Sequence, residues 1–306
     1  MKRLYKLDNI KCILITLVIV GHLLESWQIT PAEVMYKVIY TFHMPAFVFV
    51  TGYLAKWNAP KIVRRLLVPY VILQPIYILY DYYVLHRADE LTLQWTQPYW
   101  LLWYLLACVF WYILIPFIDT DKIATQLLIL AGAVAIALLI GYDKQVGYFL
   151  TLSRTIVFAP FFIAGFYCRK NGWLCRICGM KDSENRTIES KAGDSAEKQR
   201  AGVSEKNDDA RGRASLVITT AVAAVIALGG TYLLVRMGVS RATLYESLRY
   251  EKTATGPFVR AVHMAVAAAW TVLLVLLVPN KRLPGISKAG EKSFWLYVLH
   301  GFIVRL

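Results

Sequence analysis

Asp8, Lys11, His22 and Glu25 recur along the first apolar run of the chain at spacings that set them on one side of a helix. At 100° per residue they fall within about 100° of arc. An imidazole with a carboxylate one turn away can take a proton from a hydroxyl, or accept an acyl group transiently. Lys11 lies about 16 Å from His22 along the axis, roughly half the thickness of a bilayer core. One helix therefore carries a cation near one surface and a candidate base deep inside. A buried histidine bonded to a neighbouring helix is the ordinary alternative, but four aligned polar groups in one apolar segment point to function.

Other residues add possible chemistry. His43, in Phe42-His43-Met44-Pro45, is a second histidine in apolar surroundings. It either lines a polar pocket near the proline or is satisfied by a backbone carbonyl freed there. Lys61, Arg64 and Arg65 precede Pro69-Tyr70. They read as topology markers or lipid-headgroup contacts, or as a clamp for the phosphates of a coenzyme A molecule, which Lys11 extends. Arg154 either snorkels to an interface or faces inward, to pair with Glu25 or meet an acceptor. Trp100, Trp103 and Trp111 read as belt or packing residues.

The elements that position these groups are membrane spans. The 306 residues are 58% hydrophobic, with a mean hydropathy of +0.48, far above the balance of a soluble domain. The net charge of +14 is gathered in short segments between apolar runs, which excludes nucleic acid as a partner and orients the spans in lipid. Met1-Lys2-Arg3 and the run after it lack a small-residue cleavage site, so this is a retained first span. The predicted fold is all-α, a polytopic transmembrane bundle. Its nine runs are residues 8–27, 34–54, 66–85, 99–118, 124–141, 148–167, 215–235, 257–278 and 290–306. The last run stops without a flanking polar loop, as though a final span were missing.

Lys2, Arg3 and Lys6, then Lys56, Lys61, Arg64 and Arg65, then Lys281, Arg282 and Lys288 all fall on one side. That side reads as cytoplasmic, in a multi-pass protein of the plasma or inner membrane with its N-terminus inside. Residues 168–213 mix both charge signs with few aromatics, the signature of a disordered cytoplasmic linker between a first bundle half (1–167) and a second (214–306). Arg236, Arg241, Arg249 and Lys252 fall instead in a predicted outer loop. They face an anionic ligand or line a cavity, or form a solvated loop face. Cys175 and Cys178 form one C-x-x-C pair with no nearby histidines, a weak signal that predicts no metal site and spectator thiols.

Several of these segments together resemble the acyltransferase-3 membrane family, and most closely its fucose 4-O-acetylase-like branch. They are Asp8-Asn9-Ile10-Lys11 to Gly21-His22-Leu23-Leu24-Glu25, Phe42-His43-Met44-Pro45 to Thr51-Gly52-Tyr53, Arg65 to Pro69-Tyr70, Arg154 to Phe162 and Gly165, and Ser293 to His300. Lys11 stands where the wider family has an arginine separated from the histidine by ten residues, and that family usually has about ten spans. The resemblance implies transfer of an acyl group, usually acetyl, from cytoplasmic acyl-CoA to a hydroxyl of an envelope glycan or lipid-linked sugar. The donor is a substrate, and no permanently bound cofactor is implied. On that reading His22 is the base or transient acyl carrier, with Glu25 and Asp8 tuning it. Lys11, Arg64 and Arg65 hold the donor phosphates, and Arg154 and His43 position the acceptor or stabilise the oxyanion. Three alternatives stay open: a proton-coupled transporter, a non-catalytic acyltransferase-like scaffold or sensor, and an acyltransferase for a small exported molecule.

Overall fold

The computed structural model describes residues 4–25, 27, 29–87, 90–143, 146–174, 197–247 and 249–306, with 197–213 as backbone only. Among the described residues the chain is helical and contains no strand. Eight helices are long and apolar enough to cross a membrane. They are α1 (Tyr5–Glu25), α2 (Thr30–Leu54), α3 (Ala59–Tyr83), α4 (Trp103–Ile118, preceded by a 3-10 turn from Trp100), α5 (Ile123–Leu139), α6 (Leu152–Lys170), α7 (Glu197–Arg236) and α9 (Gly256–Leu277). The short α8 (Arg241–Tyr245), α10 (Ile286–Glu291) and α11 (Ser293–Val304) complete the set. The ninth predicted span is thus the 12-residue α11, about 18 Å long at the helical rise and short of a bilayer core. Helix α7 begins inside the predicted linker, whose residues 175–196 lie outside the described residues.

Helix α1 is central. Leu7, Ile10, Leu14, Ile15 and Val18 are buried along it, against α2 on one side and α10 and α11 on another. Asn9 fastens its start: Nδ2 donates to the carbonyls of Pro279 and Lys281 at 3.1 and 3.0 Å, and Oδ1 accepts from Ser287 Oγ at 2.7 Å. The segments after residue 213 therefore pack on the first helices in one bundle.

Small residues and prolines set how the other helices meet. A Cβ on Gly52 would lie 2.0 Å from the Phe162 carbonyl oxygen, and one on Gly165 would lie 2.1 Å from that of Phe49. Only glycines allow α2 and α6 to cross backbone to backbone. Pro45 lacks the N–H that would bond the Thr41 carbonyl, and His263 Nε2 on α9 donates to that oxygen at 2.9 Å instead. In α3 a π turn spans Val63–Leu67 just ahead of Pro69, a local widening typical of functional helices. Asn58 caps its start by accepting from the Lys61 N–H at 3.0 Å. This helix begins earlier than the apolar run suggests, so Lys61, Arg64 and Arg65 lie within it.

Candidate active site

His22 lies near the end of α1 with its ring nitrogen Nδ1 3.4 Å from Glu25 Oε2 and 3.2 Å from the Tyr40 hydroxyl. The spacing of three residues on one helix makes the carboxylate contact local. A carboxylate accepts, so Nδ1 carries the proton and Nε2 is left with its lone pair. Nε2 has no hydrogen-bond partner among the described residues. The 3.4 Å separation is longer than a tight N–H···O bond, as acid–base pairs in ligand-free sites commonly are. The imidazole packs against two rings, with the Trp100 centroid 4.5 Å away and that of His300 5.5 Å away.

The other oxygen of Glu25 accepts from the Tyr245 hydroxyl. Burial, and then the contact with Glu25, push this hydroxyl well above its ordinary range, which keeps it a donor. Tyr245 is held in turn by Arg154, whose Nε donates to its carbonyl at 3.1 Å, and by the Ser153 hydroxyl, which donates to the next carbonyl, that of Glu246, at 2.9 Å.

Glu25, Arg154 and Tyr245 border an aromatic cavity of about 410 Å³ whose wall also includes Trp100, Trp103 and Tyr148. Its size falls in the range of small-molecule sites, roughly 300–1,000 Å³. Backbone strain collects around it. Trp100 (φ 30°), Leu150 (φ 46°), Thr151 (φ 55°) and Glu246 (φ 53°) are non-glycine residues in the left-handed region. Trp100 and Thr151 line the wall, and Glu246 sits between the lining residues Tyr245 and Ser247. Such strain persists where the surroundings enforce it, and it gathers at functional sites.

A second, apolar cavity of about 180 Å³ opens at the other end of α1, bordered by Lys11, Thr51, Leu66, Tyr104, Cys108 and Tyr297 among others. Tyr297 lies 6.0 Å, ring to ring, from His300, which stacks on His22. The His22–His300 pair thus stands between the two cavities. His300 Nδ1 donates to the carbonyls of Leu296 and Tyr297, at 3.1 and 2.6 Å, while its Nε2 is buried without a partner.

The expected site residues divide between the two ends. Glu25 and Arg154 line the aromatic cavity; His22 lines neither cavity and lies behind that wall, against Glu25 and the Trp100 ring. Lys11 is at the apolar cavity, and Arg65 stands within electrostatic reach of the Tyr112 hydroxyl on its wall. Arg64 is exposed on the π turn and does not line that cavity. Asp8 does not meet His22. It pairs with Lys11 at 2.9 Å, fourteen positions away from the histidine, which is about 21 Å of helix. His43 also leaves the group: it is buried, bonds the carbonyl of Ile39 one turn back at 2.8 Å, and lines neither cavity. Its ring packs against Tyr40 at 4.7 Å, so its reach to His22 is indirect.

Sequence reasoning missed several participants. Trp100 and Trp103 are cavity walls, whereas Trp111 is the expected packing residue, buried with Nε1 donating to the Thr155 carbonyl at 2.8 Å. Arg305, near the end of α11, lies 4.6 Å over the Trp100 ring and pairs with Asp81 at 3.0 Å. In the predicted outer loop, Arg241 is absorbed by an ion pair with Glu33 and by the Tyr36 ring at 4.5 Å, while Arg249 and Lys252 are exposed. Next to Tyr245, Glu246 contacts His263 Nδ1 at 2.9 Å and Arg260 Nε at 2.7 Å, all three nearly inaccessible. The Arg260 contact is ionic, since its N–H does not align as a hydrogen bond. Cys12, Cys108 and Cys168 form no disulfide, while Cys175 and Cys178 lie outside the described residues. Among the described residues no three metal-ligating side chains converge.

A multi-pass helix bundle with a His–Glu pair beside an aromatic cavity and a second, apolar cavity further along the same helix defines the class of an integral-membrane protein. The family model described as the acyltransferase domain of the acyltransferase-3 family matches residues 4–306. The chain belongs to that family and is a membrane acyltransferase. No curated protein and no solved structure matches it.

Proposed function

We propose that this acyltransferase is an O-acyltransferase, which moves an acetyl group from cytoplasmic acetyl-CoA to a hydroxyl of a cell-envelope saccharide or glycolipid. The observation that carries this reading is the placement of His22: Nδ1 against Glu25, Nε2 unengaged, and a cavity at either end of its helix. The distribution of basic residues supports a cytoplasmic Lys11 end, in the plasma or inner membrane. Coenzyme A is made there, and Lys11 and Arg65 supply cations for its phosphates. The apolar cavity accepts the thin pantetheine arm. Lysine at position 11, in place of the wider family's arginine, supports assignment to the fucose 4-O-acetylase-like branch.

In the reaction, Nε2 takes the proton from the acceptor hydroxyl as that oxygen attacks the thioester carbonyl. The C–S bond then breaks, and the departing thiolate takes the proton back from the imidazolium, giving an ester and free coenzyme A. Glu25, fixed by Tyr245, holds the productive tautomer and offsets the imidazolium charge, as the carboxylate of a catalytic triad does. Mass spectrometry of envelope glycans from cells with and without the protein tests the assignment. A difference of one acetyl group per repeat supports it, and identical glycans contradict it.

A further inference from the structure

Arg154 enters the aromatic cavity from the first turn of α6 with no counter-ion. Its Nε donates to the Tyr245 carbonyl at 3.1 Å. Its guanidinium carbon lies 4.9 Å from the ring centroid of Trp103, 5.5 Å from that of Tyr245 and 5.8 Å from that of Tyr148. Rings around a cation stabilise it through their quadrupoles, but they leave its charge in place. Glu25 is the carboxylate on this wall among the described residues, and its two oxygens are engaged by Tyr245 and His22. Arg154 makes no ion pair among the described residues.

A guanidinium held within a helix bundle without a counter-ion is expensive. With Nε committed to a backbone carbonyl, the two Nη groups remain for a ligand, and that edge takes two oxygens of a carboxylate or phosphate at once. The rest of the wall suits a sugar. Trp100 and Trp103 offer faces for a pyranose ring, and Gln97 offers a neutral hydrogen-bonding group.

Building on the acyltransferase reading above, we infer that the acceptor is an anionic saccharide whose carboxylate or phosphate binds Arg154 while a hydroxyl of the same sugar reaches His22. The charge on Arg154 then selects among saccharides, and the acylation chemistry remains with His22.

The full-length protein in lipid nanodiscs tests this by tryptophan fluorescence titration with methyl β-glucoside, methyl β-glucuronide and methyl glucoside 6-phosphate, without donor. At least tenfold tighter binding of one or both acidic glycosides is expected, weakening as salt is raised. The two acidic probes tell a carboxylate site from a phosphate site. R154Q should bring the favoured acidic glycoside level with the neutral one, and R154K should retain part of the preference. Equal binding of all three, or no binding of any, overturns the inference. So does an R154Q protein that keeps the preference. Adding labelled acetyl-CoA separates this from the parent reading: charge-selective binding without acetyl transfer contradicts the acyltransferase assignment alone, while transfer without charge selectivity contradicts this inference alone.

Discussion

The Tyr245 hydroxyl donates to Oε1 of Glu25, the carboxylate whose other oxygen faces His22, across a separation of 220 positions in the chain. The link joins the short α8, outside the spans, to the end of α1. It makes the orientation of Glu25 depend on the segment between α7 and α9. Y245F removes the donor and keeps the ring. Hydrogen bonds to charged groups contribute about 1.5–3 kcal/mol, so kcat is expected to fall roughly 10- to 100-fold, with the KM for acetyl-CoA unchanged. Steady-state kinetics on the purified variant checks both numbers.

Glu25 fixes which nitrogen of His22 carries the proton. E25Q can hold either tautomer, and loss of an equivalent carboxylate in catalytic triads costs about 10⁴-fold in kcat. A fall of two to four orders of magnitude is expected here. An E25Q enzyme within threefold of the wild type would remove Glu25 from the machinery.

The Lys11–Asp8 pair at 2.9 Å gives Asp8 a different role from the one its helical face suggests. Asp8 positions the lysine that borders the apolar cavity. K11A should raise the KM for acetyl-CoA by about tenfold, the equivalent of one charge-assisted contact at roughly 1.4 kcal/mol. D8N should have a smaller effect of the same kind. Neither variant is expected to change acceptor binding, and isothermal titration with coenzyme A provides the readout.

Arg260, Glu246 and His263 form a buried charged cluster that anchors the backbone beside Tyr245. Removing one member of such a cluster leaves an uncompensated charge, at a cost of about 3–5 kcal/mol. R260A is therefore expected to lower the thermal unfolding midpoint in detergent far more than Y245F does. Equal midpoints for the two variants would show that the cluster does not carry the stability assigned to it.

What the sequence disclosed was mostly local. Lys11, His22 and Glu25 share a face because one helix spaces them, and the apolar runs near 34–54, 99–118 and 257–278 needed only length and hydropathy to be recognised as spans. Contacts made by distant segments were illegible. Trp100 reads as a belt residue until α11 brings Arg305 over its ring and α1 brings His22 against it. The face shared by Asp8 and His22 was real, yet fourteen residues of rise part them and Lys11 is the nearer charge. The pairing of His43 with the carbonyl of Ile39 was open in advance, because Pro45 frees a different oxygen, that of Thr41, and His263 from α9 takes it. The start of α11 depends on where the chain turns after α10, which hydropathy does not encode.

His22 is the residue on which the account rests, and H22A in the purified, nanodisc-embedded protein tests it most directly. With labelled acetyl-CoA and the native acceptor, the account predicts loss of acetyl transfer to the background rate while the unfolding midpoint and coenzyme A affinity stay at wild-type values. Transfer by H22A at a rate near that of the wild type would contradict it.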